Sequence, residues 1–238
     1  MRNLLQQAHP QWQPLLQEAL RYVSPSYLKA LEDEPLWLPG YARIFAAFSM
    51  PLQNLRYILF GESPYPRPQS ANGYAFWDEA VGELWSSTGF SKAVNRATSL
   101  RNWLKMLLVA RGDLKEDLSQ GAIADLPKAT LCKTAHDFFE HLIDQGFLLL
   151  NASLVYRQGE VAMHAKAWRP FMQALLIQLA EKNPSLQLIF FGKIAQILEY
   201  PPHLPTLIAE HPYNLSFIKN PQVLNFFRPL DLLNCHKK

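Results

Sequence analysis

Three short apolar runs and a weaker fourth set the limits on what this chain can fold into. They are LRYILF (55–60), FLLL (147–150), LQLIFF (186–191) and TLIAE (206–210). Runs of this length, closed by turn-forming residues, predict strands buried on both faces. The segments between them carry the helical period instead. Over 99–111, Leu100, Trp103, Leu104, Leu107 and Leu108 fall at i, i+3, i+4, i+7 and i+8. Phe138, Phe139, Leu142 and Ile143 mark a helix over 134–145. Trp168, Phe171, Met172, Leu175, Leu176 and Leu179 mark one over 168–182. The first fifty residues also read as helical. Pro14 opens a stripe of Leu15, Leu16, Ala19, Leu20 and Val23, and Ser24-Pro25 reads as an N-cap followed by a proline at the first helical position. Strands alternating with helices predict an α/β fold, with a central parallel-type sheet of about four strands and helices on both faces.

No internal repeat, low-complexity run or Gly/Ser linker divides the 238 residues, so a single domain over 1–238 is expected. Apolar residues make up 49% and charged residues 18%, which excludes an intrinsically disordered chain. No stretch reaches the ~18 apolar residues of a membrane span, and the N-terminus is interrupted too early by Gln, His and Pro for a signal peptide. Cys132 and Cys235 lie far apart in sequence and are too few for a disulfide framework or an all-cysteine metal site. That suits a reducing cytoplasm. Net charge is +3, from 23 basic and 20 acidic residues. This permits nucleic-acid binding through a local patch and excludes a uniformly basic coat. No His, Cys, Asp and Glu set has metal spacing, and no glycine-rich phosphate loop is present, so neither a metal nor a cofactor is expected.

In parallel sheets ligands bind beyond the carboxyl ends of the strands. The four exits here read Gly61-Glu62-Ser63-Pro64-Tyr65-Pro66, Asn151-Ala152-Ser153, Gly192-Lys193 and His211-Pro212-Tyr213-Asn214. Together they place an amide, an imidazole, hydroxyls, aromatic rings and an ammonium at one sheet edge.

These exits also carry a family resemblance. GESPYPRPQSANGYAF (61–76) resembles the first motif of the family 1 uracil-DNA glycosylases, Gly-Gln-Asp-Pro-Tyr-His followed by Gly-Leu-Ala-Phe. LLLN (148–151) resembles the family's Leu-Leu-Leu-Asn strand, and HPYNLS (211–216) its His-Pro-Ser-Pro-Leu-Ser motif. Phe191-Gly192-Lys193 is similar to its Trp-Gly-Ser turn. ATSLRN (97–102) is similar to its proline-rich serine loop, and AMHAKAW (162–168) to its Ser-His and Trp segment. The fragments run in the family's order from about residue 54 to 227. Two departures stand out. Ser63 takes the position of the family's catalytic aspartate, and Pro66 that of the motif's closing histidine.

The resemblance implies a uracil-DNA glycosylase-like fold and hydrolysis of the N-glycosidic bond of uracil, or another deaminated base, in DNA. It assigns His211 to stabilising the departing base, since a neutral imidazole donates a hydrogen bond to the developing anion. Asn151 would read the base edge through its donors and acceptor. Phe76 would stack on the flipped base, Tyr65 would wall the pocket against a methyl group, and Glu62 lines the same loop. Ser99, Gly192, Lys193, Ser216 and His164 would face DNA phosphates, and Leu215 would enter the vacated base stack. A serine at position 63 is neutral and supplies no charge opposite an oxocarbenium ion, so Asp78 is the tentative replacement carboxylate. Each role has a plainer counterpart: Asn151 capping a turn, Phe76 as core, Asp78 as a solvated loop carboxylate. DNA is the expected partner, single- or double-stranded, with the protein acting as a monomer. The alternative is a catalytically impaired homologue that serves as a DNA- or protein-binding module.

Overall fold

The structure is a computed structural model that describes residues 2–235. In chain order its regular elements begin with α1 (Gln13–Leu20), α2 (Pro25–Asp33) and β1 (Tyr57–Gly61). A small hairpin follows, β2 (Trp85–Ser86) and β3 (Gly89–Phe90), then α3 (Lys92–Arg96), α4 (Thr98–Arg111), α5 (Gln120–Ala124) and α6 (Ala135–Asp144). The chain continues through β4 (Phe147–Asn151), α7 (Val161–Lys182), β5 (Gln187–Phe191) and β6 (Thr206–Ala209) to α8 (Pro221–Phe227). The four predicted strands are β1, β4, β5 and β6. They form one sheet in the order β4-β1-β5-β6, flanked by helices. β1 pairs in parallel with both neighbours, with Gly61 opposite Asn151 and Phe60 opposite Phe190.

Contacts divide the chain into two compact units. The first comprises Met1–Asp78, Ile143–Phe190 and Ile194–Thr206, and the second Glu79–Leu142, Phe191–Lys193 and Leu207–Lys238. In the first unit the sheet interior is continuous apolar packing. Phe60 and Phe190 stack at 4.9 Å, and Tyr57 and Phe147 at 4.4 Å. Burial of whole strands explains why they read as unbroken runs rather than alternating ones. In the second unit the core gathers around Trp103 of α4. Phe138, Phe139, Phe191 and Phe227 stand 5.5 to 6.4 Å from its ring.

Three expectations are corrected. The helix predicted from residue 168 starts at Val161 and runs through Pro170. Residues 161–167 carry no apolar stripe, so periodicity could not find them. The His164 N–H nevertheless bonds the Glu160 carbonyl at 3.0 Å, and burial of the His164 side chain anchors that first turn. Ser24 stands at the N-cap of α2, but its hydroxyl pairs with that of Ser26 at 2.8 Å instead of capping the backbone. Finally, Cys132 and Cys235 form a disulfide within the second unit, with Cα atoms 4.8 Å apart. Distance along the chain says nothing about distance after folding, so the two cysteines no longer argue for a reducing compartment.

Candidate active site

In the first unit β1 and β4 end side by side. Gly61 and Asn151 face each other in register. The ladder continues beyond the strands: the Ala152 N–H donates to the Gly61 carbonyl at 2.9 Å and the Ser153 N–H to the Glu62 carbonyl at 3.0 Å. The β1 exit and the β4 exit are therefore fixed to one another by backbone bonds. A Cβ at position 61 would lie 2.5 Å from Asn151 Oδ1 and 2.8 Å from the Ala75 Cβ, so only glycine leaves room for the amide. Ala75 is itself held, its N–H donating to the Leu149 carbonyl at 3.0 Å. Asn151 is 3% exposed and makes no side-chain hydrogen bond among the described residues, while its amide is not fully closed off from solvent. Buried amides are nearly always satisfied. An amide held open in this way is suited to an incoming partner with donors and acceptors of its own.

The loop after β1 folds back on itself beside these strand ends. The Tyr65 hydroxyl donates to the Phe76 carbonyl at 3.2 Å. Burial, and secondarily the charge of Asp78, push the Tyr65 pKa up, so the phenol stays a neutral donor. Phe76 adopts a left-handed backbone with φ of 63°, a conformation that costs a residue with a Cβ about 1 kcal/mol or more. Such strain persists where neighbours over-determine the backbone. Here the Tyr65 bond and a bridge between Ala71 and Asp78 do so. Arg67 donates to Asp78 at 2.8 Å, and the carboxylate's side chain is only 7% exposed. Asp78 thus closes the loop as an ion-pair partner, and the expectation of a solvated carboxylate is corrected. Ser63 is half-buried in the same loop, whereas Glu62 and Pro66 are exposed.

In the second unit the loop after β6 presents His211. Its Nδ1 accepts the N–H of Tyr213 at 3.1 Å, so in the neutral ring Nε2 carries the proton and acts as a donor. Gly192, with φ of 80°, lies flat against the imidazole: a Cβ there would come within 3.2 Å of the His211 Cβ. Asn102 of α4 is 1% exposed. Its Nδ2 donates to the Pro212 carbonyl at 2.8 Å and the Tyr213 carbonyl at 3.3 Å. On the preceding side, Asn220 caps α8 and donates to the Glu210 carboxylate at 2.7 Å. Leu215 and Tyr213 project outward, 74% and 67% exposed. Ser216 and Lys193 are exposed, and Ser99 is half-buried in the first turn of α4.

One candidate does not fit its expected role. His164 belongs to the first unit, is 2% exposed, and its Nδ1 lies 2.7 Å from the Tyr27 hydroxyl. Burial lowers its pKa, against the raising influence of Glu160. A ring so enclosed offers no face to a phosphate; the resemblance of AMHAKAW to the family's Ser-His segment suggested one because burial is invisible in sequence. Conversely, sequence reasoning passed over Gly61, Arg67 and Asn102. Asn102 carried one faint signal: an amide inside a strongly apolar helix, three residues after Ser99. Among the described residues no group of three or more His, Cys, Asp or Glu could hold a metal ion. No helix among them is long and apolar enough to cross a membrane.

No protein-family model matches the chain. Among curated proteins it is 26% identical over 218 residues to the uracil-DNA glycosylase of Corynebacterium glutamicum, covering 87% of this chain and 81% of that one. It is 28% identical over 223 residues to that of Pseudomonas savastanoi pv. phaseolicola, covering 87% and 83%. Among solved structures, wild-type UNG from Nitratifractor salsuginis superposes with a TM-score of 0.92 at 42% identity, covering 98% of this chain and 96% of that one. The chain belongs to the uracil-DNA glycosylase family. A further uracil-DNA glycosylase structure, from mimivirus, has a TM-score of 0.58 at 19% identity and shares the fold. Within this family frame, the strand end at Asn151 and the His211 loop are where the first-motif, Leu-Leu-Leu-Asn and His-Pro resemblances fall.

Proposed function

We propose that this protein excises uracil from DNA by hydrolysing the N-glycosidic bond, with no cofactor. The observation that carries the reading is Asn151: a residue 3% exposed whose amide makes no hydrogen bond among the described residues and is given its space by a glycine across the strand pair. An amide offers donors and an acceptor together, as the uracil edge requires. Similarity to uracil-DNA glycosylases over most of the chain supports excision over a binding-only module.

In this reading Phe76 stacks on the extruded base, and Tyr65 crowds the position of a thymine methyl. Glu62 lines the rim of the same loop. The N1–C1′ bond breaks with its electron pair passing to the base. His211 then donates its Nε2 proton in a hydrogen bond to the developing charge on uracil O2. Water adds to C1′ and its proton is lost to solvent, because the neutral hydroxyl of Ser63 stands where the family has a carboxylate. Asp78, already paired with Arg67, shapes the loop and is not the tentative replacement base. Phosphates are gripped by Ser99, Gly192, Lys193 and Ser216, and Leu215 enters the space the base has left. The protein acts on DNA as a single-domain monomer.

The test is gel-resolved cleavage of a uracil-containing oligonucleotide, heated in alkali after incubation at high enzyme concentration. Strand breakage at uracil and none at thymine is expected. No product from uracil, hypoxanthine or xanthine substrates would overturn the reading.

A further inference from the structure

The loop that carries His211 holds its backbone and its side chains in opposite ways. The Tyr213 N–H is committed to His211 Nδ1, the Asn214 N–H to the His211 carbonyl at 2.9 Å, and the carbonyls of Pro212 and Tyr213 to Asn102. The main chain is thus fixed at three successive residues. The Tyr213 ring, attached to that fixed backbone, is 67% exposed, and Leu215, two residues on, is 74% exposed. Large apolar groups in solvent are ordinary when scattered singly. Two within three residues, on a main chain pinned beside the proposed catalytic histidine, form a presented surface. The resembled family motif places a serine where Tyr213 stands, so the aromatic ring is a feature of this chain.

Resting on the glycosylase reading above, we propose that Tyr213 is a base-stacking residue, its ring lying on a nucleobase that flanks the extruded uracil while Leu215 fills the gap. The chemistry favours this occupant. A rigidly mounted aromatic face with a polar tip gains from stacking on any base, irrespective of sequence, and loses little conformational entropy on doing so. The backbone link to His211 adds a consequence: a ring seated on a flanking base also fixes the peptide whose N–H sets the histidine's tautomer.

The experiment uses the full chain and oligonucleotides carrying 2-aminopurine on one or other side of 2′-fluoro-2′-deoxyuridine, a nucleotide resistant to cleavage, alongside steady-state cleavage of ordinary uracil DNA. Tyr213→Ala should brighten 2-aminopurine in the complex on one side of the site and raise KM roughly tenfold, with kcat within about twofold. Tyr213→Phe should match the unaltered protein in both respects. Equal fluorescence and equal KM for Tyr213→Ala, with cleavage by the unaltered protein intact, would overturn the stacking role alone. A Tyr213→Phe variant as impaired as Tyr213→Ala would assign the tyrosine to a phosphate through its hydroxyl and overturn stacking. Absence of uracil cleavage by the unaltered protein would instead overturn the glycosylase reading beneath it. Circular dichroism of each variant separates these results from misfolding.

Discussion

The strand end at Asn151 and the loop at His211 solve opposite problems with the same economy of means. Asn151 sits at the end of a fully buried strand, its space set by Gly61 and Ala75 and its backbone by parallel pairing. His211 sits on a loop with exposed neighbours, and its position depends on side-chain bonds from Asn102 and Asn220 to the loop's own backbone and to Glu210. The first arrangement is rigid because a sheet is rigid. The second is rigid because one buried amide, Asn102, spans more than a hundred residues of sequence to reach it. Reading a base needs a recess that cannot adapt to the wrong one. Engaging a duplex needs apolar side chains held outward in water. Under the proposed function, the strand end at Asn151 would serve the first purpose and the anchored loop at His211 the second.

The largest expected effect tests the strand end. Asn151→Ala should lower kcat/KM for uracil DNA about a thousandfold, the upper end of the roughly 10²–10³ cost of removing one preorganised hydrogen-bonding group. A loss below tenfold would show that the amide is not the reader. Next comes the loop: His211→Ala should cost about a hundredfold in kcat, or on the order of 3 kcal/mol, with DNA affinity nearly unchanged. Ser63→Asp moves the other way and should raise the rate roughly tenfold or more by restoring a charge opposite the oxocarbenium ion. Single-turnover rates would show it, and no gain would mean that the loop around Ser63 no longer positions water. Asn102→Ala has a smaller effect with two faces. Freeing two loop carbonyls should lower kcat severalfold through a misplaced His211, and denaturant unfolding should report about 1–2 kcal/mol of lost stability. If stability falls while kcat holds, His211 is fixed by other contacts, and the contrast between the regions weakens.

How much of this could be read in the sequence follows the same division. β1, β4 and β5 were legible because strands buried along nearly their whole length leave continuous apolar runs, and α4 and α6 because one face of each is apolar; β6, expected to be buried on both faces, instead exposes Thr206 and Ile208. The hairpin Trp85–Ser86 and Gly89–Phe90, with α5 beside it, left no such trace. It is stabilised by local detail, such as Gln120 Oε1 accepting the Phe90 N–H at 2.8 Å. As residues of the strand exits, where topology concentrates ligand chemistry, Asn151 and His211 were legible. The groups that hold or shape them were not. The Arg67–Asp78 pair and the Asn102 bonds connect residues whose proximity only the folded chain creates, and a buried Asp78 looks the same in sequence as a solvated one.

The left-handed backbone of Phe76 inverts a familiar ranking. At most positions alanine is better tolerated than glycine, because glycine gives the unfolded chain more freedom to lose. At φ of 63° the order should reverse: Phe76→Gly should unfold at higher denaturant concentration than Phe76→Ala, by about 1 kcal/mol, although it is the more drastic truncation. Neither variant would keep an aromatic face for a base. On backbone grounds alone glycine would be the more stable choice at this position, and the proposed stacking of Phe76 on a base is what would offset that cost.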